Sequence, residues 1–478
     1  MKLQRYDFGG RNRRIASRFG REGRLARAWL RRISLAALLV TGAIGAKRYA
    51  ATLFSDPDTL SARSGPSASG SPESAAEASG GNAPALGPAS GPGDGPPEWS
   101  APLRNYPLPD TFDYRGGTLV AEYDPDSLLN ARVNLYLQRY RPETGVILIS
   151  DLKTGHVLAL GERQDSVISG VPRLAFGGGY PAASLAKILT ATAALECKAK
   201  ELEDSIPQVG RSHTLYKRQL QVEGLRNVPR ITLEEAFSRS VNPAFGMLGM
   251  SIGSSVLRAT AARMGFNRPM APAAVAASRI EFPDTGFSLA EAACGFTAKT
   301  TISPWHALQI ARGAGDDGRL RPCAFVSRMY NPATGAEILP RTGGEPFISR
   351  DNLPRLQALM QATVRSGTAR KGFRQNLRAN HLEKIEAGGK TGSLDGEETP
   401  GRFDWFIGYV KLKEEPDRGL AISIMLVHRE YASIHGSAMA ALIIRDWLSA
   451  RDRAMRAARA ARPPVASEPG RSPLPAAG

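Results

Sequence analysis

The chain has 478 residues, enough for two or three domains, or one large domain with tails, and its 42% hydrophobic content suits a globular core. The net charge is +17, but residues 1–32 carry +9 of it and residues 451–478 carry +4, so the long middle holds only +4. A nucleic-acid-binding domain concentrates basic residues on its folded part, and this distribution argues against one. The cysteines, Cys197, Cys294 and Cys323, are odd in number and form no C-x-x-C, and the six histidines are scattered. Neither a disulfide framework nor a metal site is implied, and no cofactor is called for. One Cys294–Cys323 bridge is open to an exported domain; buried free thiols are the preferred reading.

In chain order, residues 1–32 are strongly basic, and Ile33 to Ala46 is an uncharged run of 14 residues. That is short for a span of about 20 residues, but Lys47 and Arg48 can snorkel and Tyr49 to Phe54 can extend it. A cleaved signal peptide, with Ala43-x-Gly45 as its small-residue site, is the rival reading; the basic leader is longer than a usual signal n-region. An uncleaved anchor over 33–54 is therefore expected, its basic side cytoplasmic and everything after it outside. Residues 55–105 form a Ser/Gly/Ala/Pro tract too poor in apolar residues to order itself. It is expected to be a flexible linker with an end-to-end distance of roughly 35–45 Å.

The folded domain is expected over 106–450. Helix-start signals followed by helical apolar spacing occupy Asp124 to Leu137. Gly145 to Asp151 and His156 to Leu160 read as strands around the turn Leu152-Lys-Thr-Gly155. From Ser184 to about Ala311 the reading is mostly helical. Strands return at Ala387–Ser393, Phe403–Leu412 and Leu420–Val427, and a last helix runs from about Ser433 to Arg453. Strands early and late with helices between them imply one sheet assembled from both ends, plus a helical insertion. Residues 451–478 read as a disordered basic tail.

Three short strings carry the chemistry. Ser184-Leu-Ala-Lys187 opens an Ala/Leu-rich helix just after Pro181, and its two polar residues fall on one face, one turn apart. A hydroxyl beside an amine at a helix N-terminus makes a nucleophile if the amine can lose its proton. Ser240-Val-Asn242 follows 56 residues later, just before Pro243. Lys390-Thr-Gly392 follows 150 residues after Ser240, on an expected strand, with Gly388 and Gly389 before it and Ser393 after it. Singly each string also suits a mundane role: an exposed polar pair, a helix cap, a strand ending in a turn. Trp305 and Trp405 read as core residues, and Gly177-Gly-Gly179 as a loop and not a phosphate cradle, since no Gly-Lys-Ser/Thr follows.

Together, in this order and in these elements, the strings resemble the motif set of penicillin-binding proteins and class A β-lactamases, with Val241 where that set has Asp. Val364-Arg-Ser-Gly-Thr-Ala369, Asp404-Trp-Phe-Ile-Gly-Tyr409 and Thr300 to Gln309 resemble further family segments. The resemblance implies an α+β fold, a five-stranded antiparallel sheet flanked by helices and joined to an all-helical subdomain, with the site between them. It implies a membrane-anchored peptidoglycan D,D-transpeptidase whose partners are stem peptides, β-lactam antibiotics, the membrane through one N-terminal helix, and cell-wall synthesis proteins. By the same resemblance Ser184 is the nucleophile and Lys187 its base, its pKa lowered by burial and by the charge of Lys390. Ser240 relays a proton, Asn242 bonds the substrate peptide and Lys187, and Lys390, Thr391 and Ser393 hold the terminal carboxylate. Gly392 leaves room for substrate on the strand edge, and the N–H groups of Ser184 and Ser393 form the oxyanion hole. Ala182 to Thr190 is closer in flavour to D,D-carboxypeptidases, which leaves the acyl acceptor open. A β-lactamase is disfavoured: no E-x-x-L-N string occurs, and Glu281 and Asp284 are the only acids between Pro243 and Ala290. A β-lactam sensor or cell-wall scaffold without turnover is the other rival, against which the intact motif set argues.

Overall fold

The structure is a computed structural model that describes residues 111–114, 117–164, 174–270, 275–338, 343–396, 400–429 and 431–461. The expected leader, anchor and linker (1–105) and most of the C-terminal tail lie outside the described residues. No helix among the described residues is long and apolar enough to cross a membrane.

Thirteen strands occur among the described residues. β1 (Thr111–Tyr114), β2 (Gly117–Tyr123), β8 (Val326–Tyr330) and β9 (Glu337–Ile338) form one small sheet. β5 (Ser205–Pro207) pairs with β6 (Arg230–Thr232), and β7 (Arg319–Leu320) with β10 (Glu345–Pro346). The main sheet is five-stranded and antiparallel throughout: β11 (Ile385–Asp395), β12 (Arg402–Leu412), β13 (Gly419–His428), β3 (Thr144–Asp151) and β4 (Val157–Gln164), in that spatial order. The fold is thus the expected α+β one, with the two ends of the domain meeting where β13 pairs with β3.

Both faces of this sheet are covered, which is why its central strands read as continuous apolar runs without polar alternation. The alternation survives in where each side chain goes. Ala421, Met425 and Val427 of β13 join the core shared with the helical insertion. Leu420, Ile422, Ile424 and Leu426 join the core under the helices Ser127–Tyr140 and Gly436–Ala460. A one-residue slip would exchange the two sets, so the register is strongly fixed. Trp305 and Trp405 are fully buried, as expected of core residues. Burial of side chains of this size contributes about 1.5–3 kcal/mol or more each.

Some boundaries differ from the sequence expectation. The first helix starts at Ser127, after Asp126, whose carboxylate accepts from the Leu129 N–H at 2.8 Å; Asp124-Pro125 precedes the cap. The last helix extends to Ala460, seven residues past the expected Arg453, so 451–460 are helical rather than part of a disordered tail. Ala and Arg are strong helix formers and carry the helix on after its apolar face ends at Leu448. Cys197 is exposed, Cys294 and Cys323 are buried, and all three are free thiols.

Candidate active site

Ser184 lies on a single 3-10 turn, Ala183–Leu185, that runs directly into the helix Ala186–Glu196. The turn is pinned from three directions. The Trp405 indole N–H donates to the Pro181 carbonyl at 3.0 Å. The Ala182 N–H donates to the Thr300 carbonyl at 2.8 Å. Gly295, at φ +69°, packs so closely that a Cβ there would stand 1.9 Å from the Ala183 carbonyl oxygen. Any side chain at position 295 would drive the nucleophile turn out of place.

Lys187 is completely buried one helical turn on. Its Nζ donates to Ser184 Oγ at 2.8 Å, to Asn242 Oδ1 at 2.7 Å and to the Cys294 carbonyl at 2.6 Å. Cys294 ends the helix Gly286–Cys294, whose last carbonyls have no partner within the helix and form the negative pole of its dipole. The ammonium is therefore accommodated without any carboxylate. Burial nonetheless pulls the Lys187 pKa down to about 8, with the Cys294 thiol acting weakly the other way.

Ser240 occupies the turn between the helices Leu233–Ser238 and Asn242–Ile252. The first of these is started by a reciprocal cap between Thr232 and Glu235, and the second carries Pro243 in its first turn. Asn242 thereby begins a helix and aims its amide at Lys187. Lys390, also fully buried, donates to Ser240 Oγ at 2.9 Å and to the Thr391 carbonyl at 2.8 Å. Its pKa is held well below the ordinary lysine value by burial first and by Lys187 second. The two lysines thus repel each other, as expected, and burial is the main cause of the lowering at both.

β11 is an edge strand, bonded to β12 on one side only, and Thr391 to Ser393 lie along it. Ser393 is exposed and Thr391 half-buried. The Thr391 hydroxyl is 2.5 Å from that of Thr368. Gly392 also has a packing reason. A Cβ there would stand 3.3–3.4 Å from Ala182, Ala183 and Leu185, so the glycine eases the close approach of β11 to the nucleophile turn. The structure thus brings Ser184, Lys187 and Asn242 into one hydrogen-bonded group and Ser240 and Lys390 into a second that feels its charge, with Thr391, Gly392 and Ser393 on the same strand as Lys390. Sequence reasoning missed the Cys294 carbonyl and Gly295, while Thr368 lies in the Val364–Ala369 segment singled out above. Of these only Gly295 has a visible signal, a glycine directly after an apolar helical run.

Residues 145–448 match the family described as the penicillin binding protein transpeptidase domain. The chain belongs to this family. A peptidoglycan D,D-transpeptidase PbpA of Mycolicibacterium smegmatis is 24% identical over 286 residues, 57% of this chain and 55% of that protein. The chain therefore spans about half the length of this curated relative. Among solved structures, the D,D-transpeptidase domain of a peptidoglycan glycosyltransferase from Eggerthella lenta superposes with a TM-score of 0.53 at 18% identity, covering 69% of this chain and 83% of that one. Penicillin-binding protein A of Mycobacterium tuberculosis, as an imipenem acyl-enzyme complex, gives 0.53 at 20% identity, covering 69% and 79%. At these identities the structures support the shared fold, which agrees with the five-stranded sheet and helical insertion described above.

Proposed function

We propose that the domain is a serine D,D-transpeptidase that cross-links peptidoglycan, acylated on Ser184 by stem peptides ending in D-Ala-D-Ala and by β-lactams. The observation that carries this is a desolvated amine, Lys187 Nζ, 2.8 Å from a half-buried hydroxyl at the start of a helix. Neutral Lys187 takes the Ser184 proton as Oγ bonds to the carbonyl carbon of the penultimate D-Ala. When the C–N bond to the last D-Ala breaks, the proton reaches the leaving nitrogen through Ser240, which Lys390 orients. An amine of a second stem then attacks the ester, loses a proton by the same route, and returns Ser184 to its free hydroxyl. Thr391 and Ser393, beside the Lys390 amine, receive the terminal carboxylate.

A β-lactam enters the same sequence, but its broken amide leaves the nitrogen tethered. Escape then requires an activated water, and no carboxylate among the described residues bonds to Ser184, Lys187, Ser240 or Lys390. The penicillin ester on this protein is therefore expected to persist for minutes or longer, followed by intact-protein mass spectrometry after unreacted drug is removed. Rapid regeneration of free enzyme with hydrolysed penicillin would replace this reading with a β-lactamase. The fold neighbour captured with imipenem shows such an ester on a related scaffold.

Such an enzyme acts outside the cytoplasm, and the basic leader before Ile33 followed by the polar tract 55–105 supports a single anchor at 33–54 that holds it there. A reporter enzyme active only in the periplasm, fused after residue 105, is expected to be active. Signal solely from a cytoplasmic reporter would reverse this topology.

A further inference from the structure

Residues 208–229 join β5 to β6, and the reaction above uses none of their side chains. They carry Arg211, Lys217, Arg218 and Arg226 against the single acid Glu223, a net +3, whereas residues 33–450 as a whole hold +4. The loop is held from inside by Gln219, which is buried. The Gln219 amide donates to the Val209 carbonyl at 2.8 Å, and its oxygen accepts from the Tyr216 N–H at 2.9 Å. Gly210, at φ +71°, permits the close turn over that amide, since a Cβ there would stand 2.7 Å from Gln219 Nε2. Outside the clamp lies a pocket of about 600 Å³, lined among others by Arg211, Thr214, Tyr216, Arg218 and Leu225. Tyr216 and Leu225 are two of the six large apolar side chains exposed among the described residues, and both line this one pocket. The Arg218 guanidinium lies over the Tyr216 ring, 5.2 Å from its centroid. Neither Arg211 nor Arg218 pairs its side chain with a carboxylate among the described residues. The loop also borders the site: the Asn242 N–H donates at 2.7 Å to the carbonyl of Ser212, the residue after Arg211, and Asn242 Oδ1 accepts from Lys187 at 2.7 Å.

We propose that this pocket is a subsite for a carboxylate carried by the acylating stem peptide upstream of its D-Ala-D-Ala end, with Arg211 and Arg218 taking the carboxylate and Leu225 packing on the chain that bears it. The inference rests on the transpeptidase reading and adds to it which part of the stem, other than the bond that breaks, the enzyme recognises. The ligand class follows from the lining. A guanidinium meets a carboxylate with two parallel hydrogen bonds, and here two guanidinium groups stand without an acid to hold them. Stacking on Tyr216 orients Arg218 before any ligand arrives. The apolar surface beside them suits a carboxylate on a hydrocarbon chain better than a small inorganic anion. The position follows from Asn242. The family resemblance has its amide bond the substrate peptide, so a stem held there has beside it the loop that the Asn242 N–H anchors.

Two peptides test this on the full chain: a stem peptide ending in D-Ala-D-Ala, and the same peptide with every carboxylate but the terminal one amidated. Release of D-Ala gives kcat/KM for each. The wild type is expected to favour the free-acid peptide about tenfold, the weight of one charge-assisted hydrogen bond at a site open to solvent, and to lose that preference at high salt. In the double variant Arg211→Gln/Arg218→Gln, kcat/KM for the free-acid peptide is expected to fall about tenfold and that for the amidated peptide less than about twofold. Both side chains are exposed, so the fold is expected to hold, and continued labelling of the variant by penicillin checks that its nucleophile is intact. Equal kcat/KM for the two peptides in the wild type, or an equal fall for both in the double variant, would overturn the inference while a penicillin-labelled wild type left the transpeptidase reading standing. A wild type that neither releases D-Ala nor takes the penicillin label would overturn both.

Discussion

Ser184→Ala is expected to abolish covalent capture of penicillin, and mass spectrometry of the wild type is expected to place a single ester on Ser184. Two serines in this site hydrogen-bond to a lysine amine, so geometry of that kind does not by itself choose the nucleophile. Ser184 Oγ meets Lys187 at 2.8 Å, and Ser240 Oγ meets Lys390 at 2.9 Å. Access and setting separate them. Ser240 is 5% exposed, whereas Ser184 is half-buried and open to an incoming carbonyl. Ser184 also lies on the turn that enters a helix, where backbone N–H groups without helical partners favour a developing oxyanion. Removing a serine nucleophile in acyl transfer costs on the order of 10⁶-fold in rate, which puts acylation of the variant below detection. The fold is expected to survive, because the change deletes one hydroxyl whose only bond among the described residues is to Lys187. An adduct on Ser240 or Ser393, or a label that persists in Ser184→Ala, would remove both the assigned nucleophile and the proposed function.

Much of this site was legible in the sequence because its motifs sit where local rules place them. Ser184 and Lys187 are one helical turn apart, Asn242-Pro243 reads as a helix start, and Gly388-Gly-Lys-Thr-Gly392 reads as a strand. Those rules fix which side chains can point together along one element. They do not fix what a distant segment brings. The Cys294 carbonyl reaches Lys187 from 107 residues away in sequence, and a backbone carbonyl has no residue-type signature. Gly392 was legible as a small residue on a strand edge, but the close approach of β11 to the nucleophile turn at that point is a tertiary fact. The same holds for the fold. Four of the five long strands were visible as apolar runs, and β11 through the string around Lys390. The four-stranded sheet that joins β2 to β8 was not, since its strands are short and their partners lie about 200 residues apart.

Lys187→Met, a side chain of similar length without the amine, is expected to slow acylation about 10²–10⁴-fold, the usual weight of a general base. That corresponds to roughly 3–5 kcal/mol of transition-state stabilisation. In the wild type the base must be neutral, and burial puts its pKa at about 8. The acylation rate is therefore expected to rise with pH through about 8, and this rise is expected to disappear in the variant. Stability follows a separate account. The unfolded chain holds the Lys187 proton with the ordinary value of 10.5, the folded one with about 8. The unfolded state thus binds more protons between these values, so stability contributed by this site rises as pH increases from 8 to 10.5 and is lacking below 8. A displacement of that size is on the order of 3 kcal/mol, a penalty that methionine removes at neutral pH. Against it, Asn242 Oδ1 and the Cys294 carbonyl lose their buried donor, at about 1–3 kcal/mol each. The two effects nearly cancel, so Lys187→Met is expected to unfold close to the wild-type temperature while acylating far more slowly. Thermal unfolding measured beside the acylation rate checks both at once. A variant that acylates at the wild-type rate would show that some other group takes the Ser184 proton.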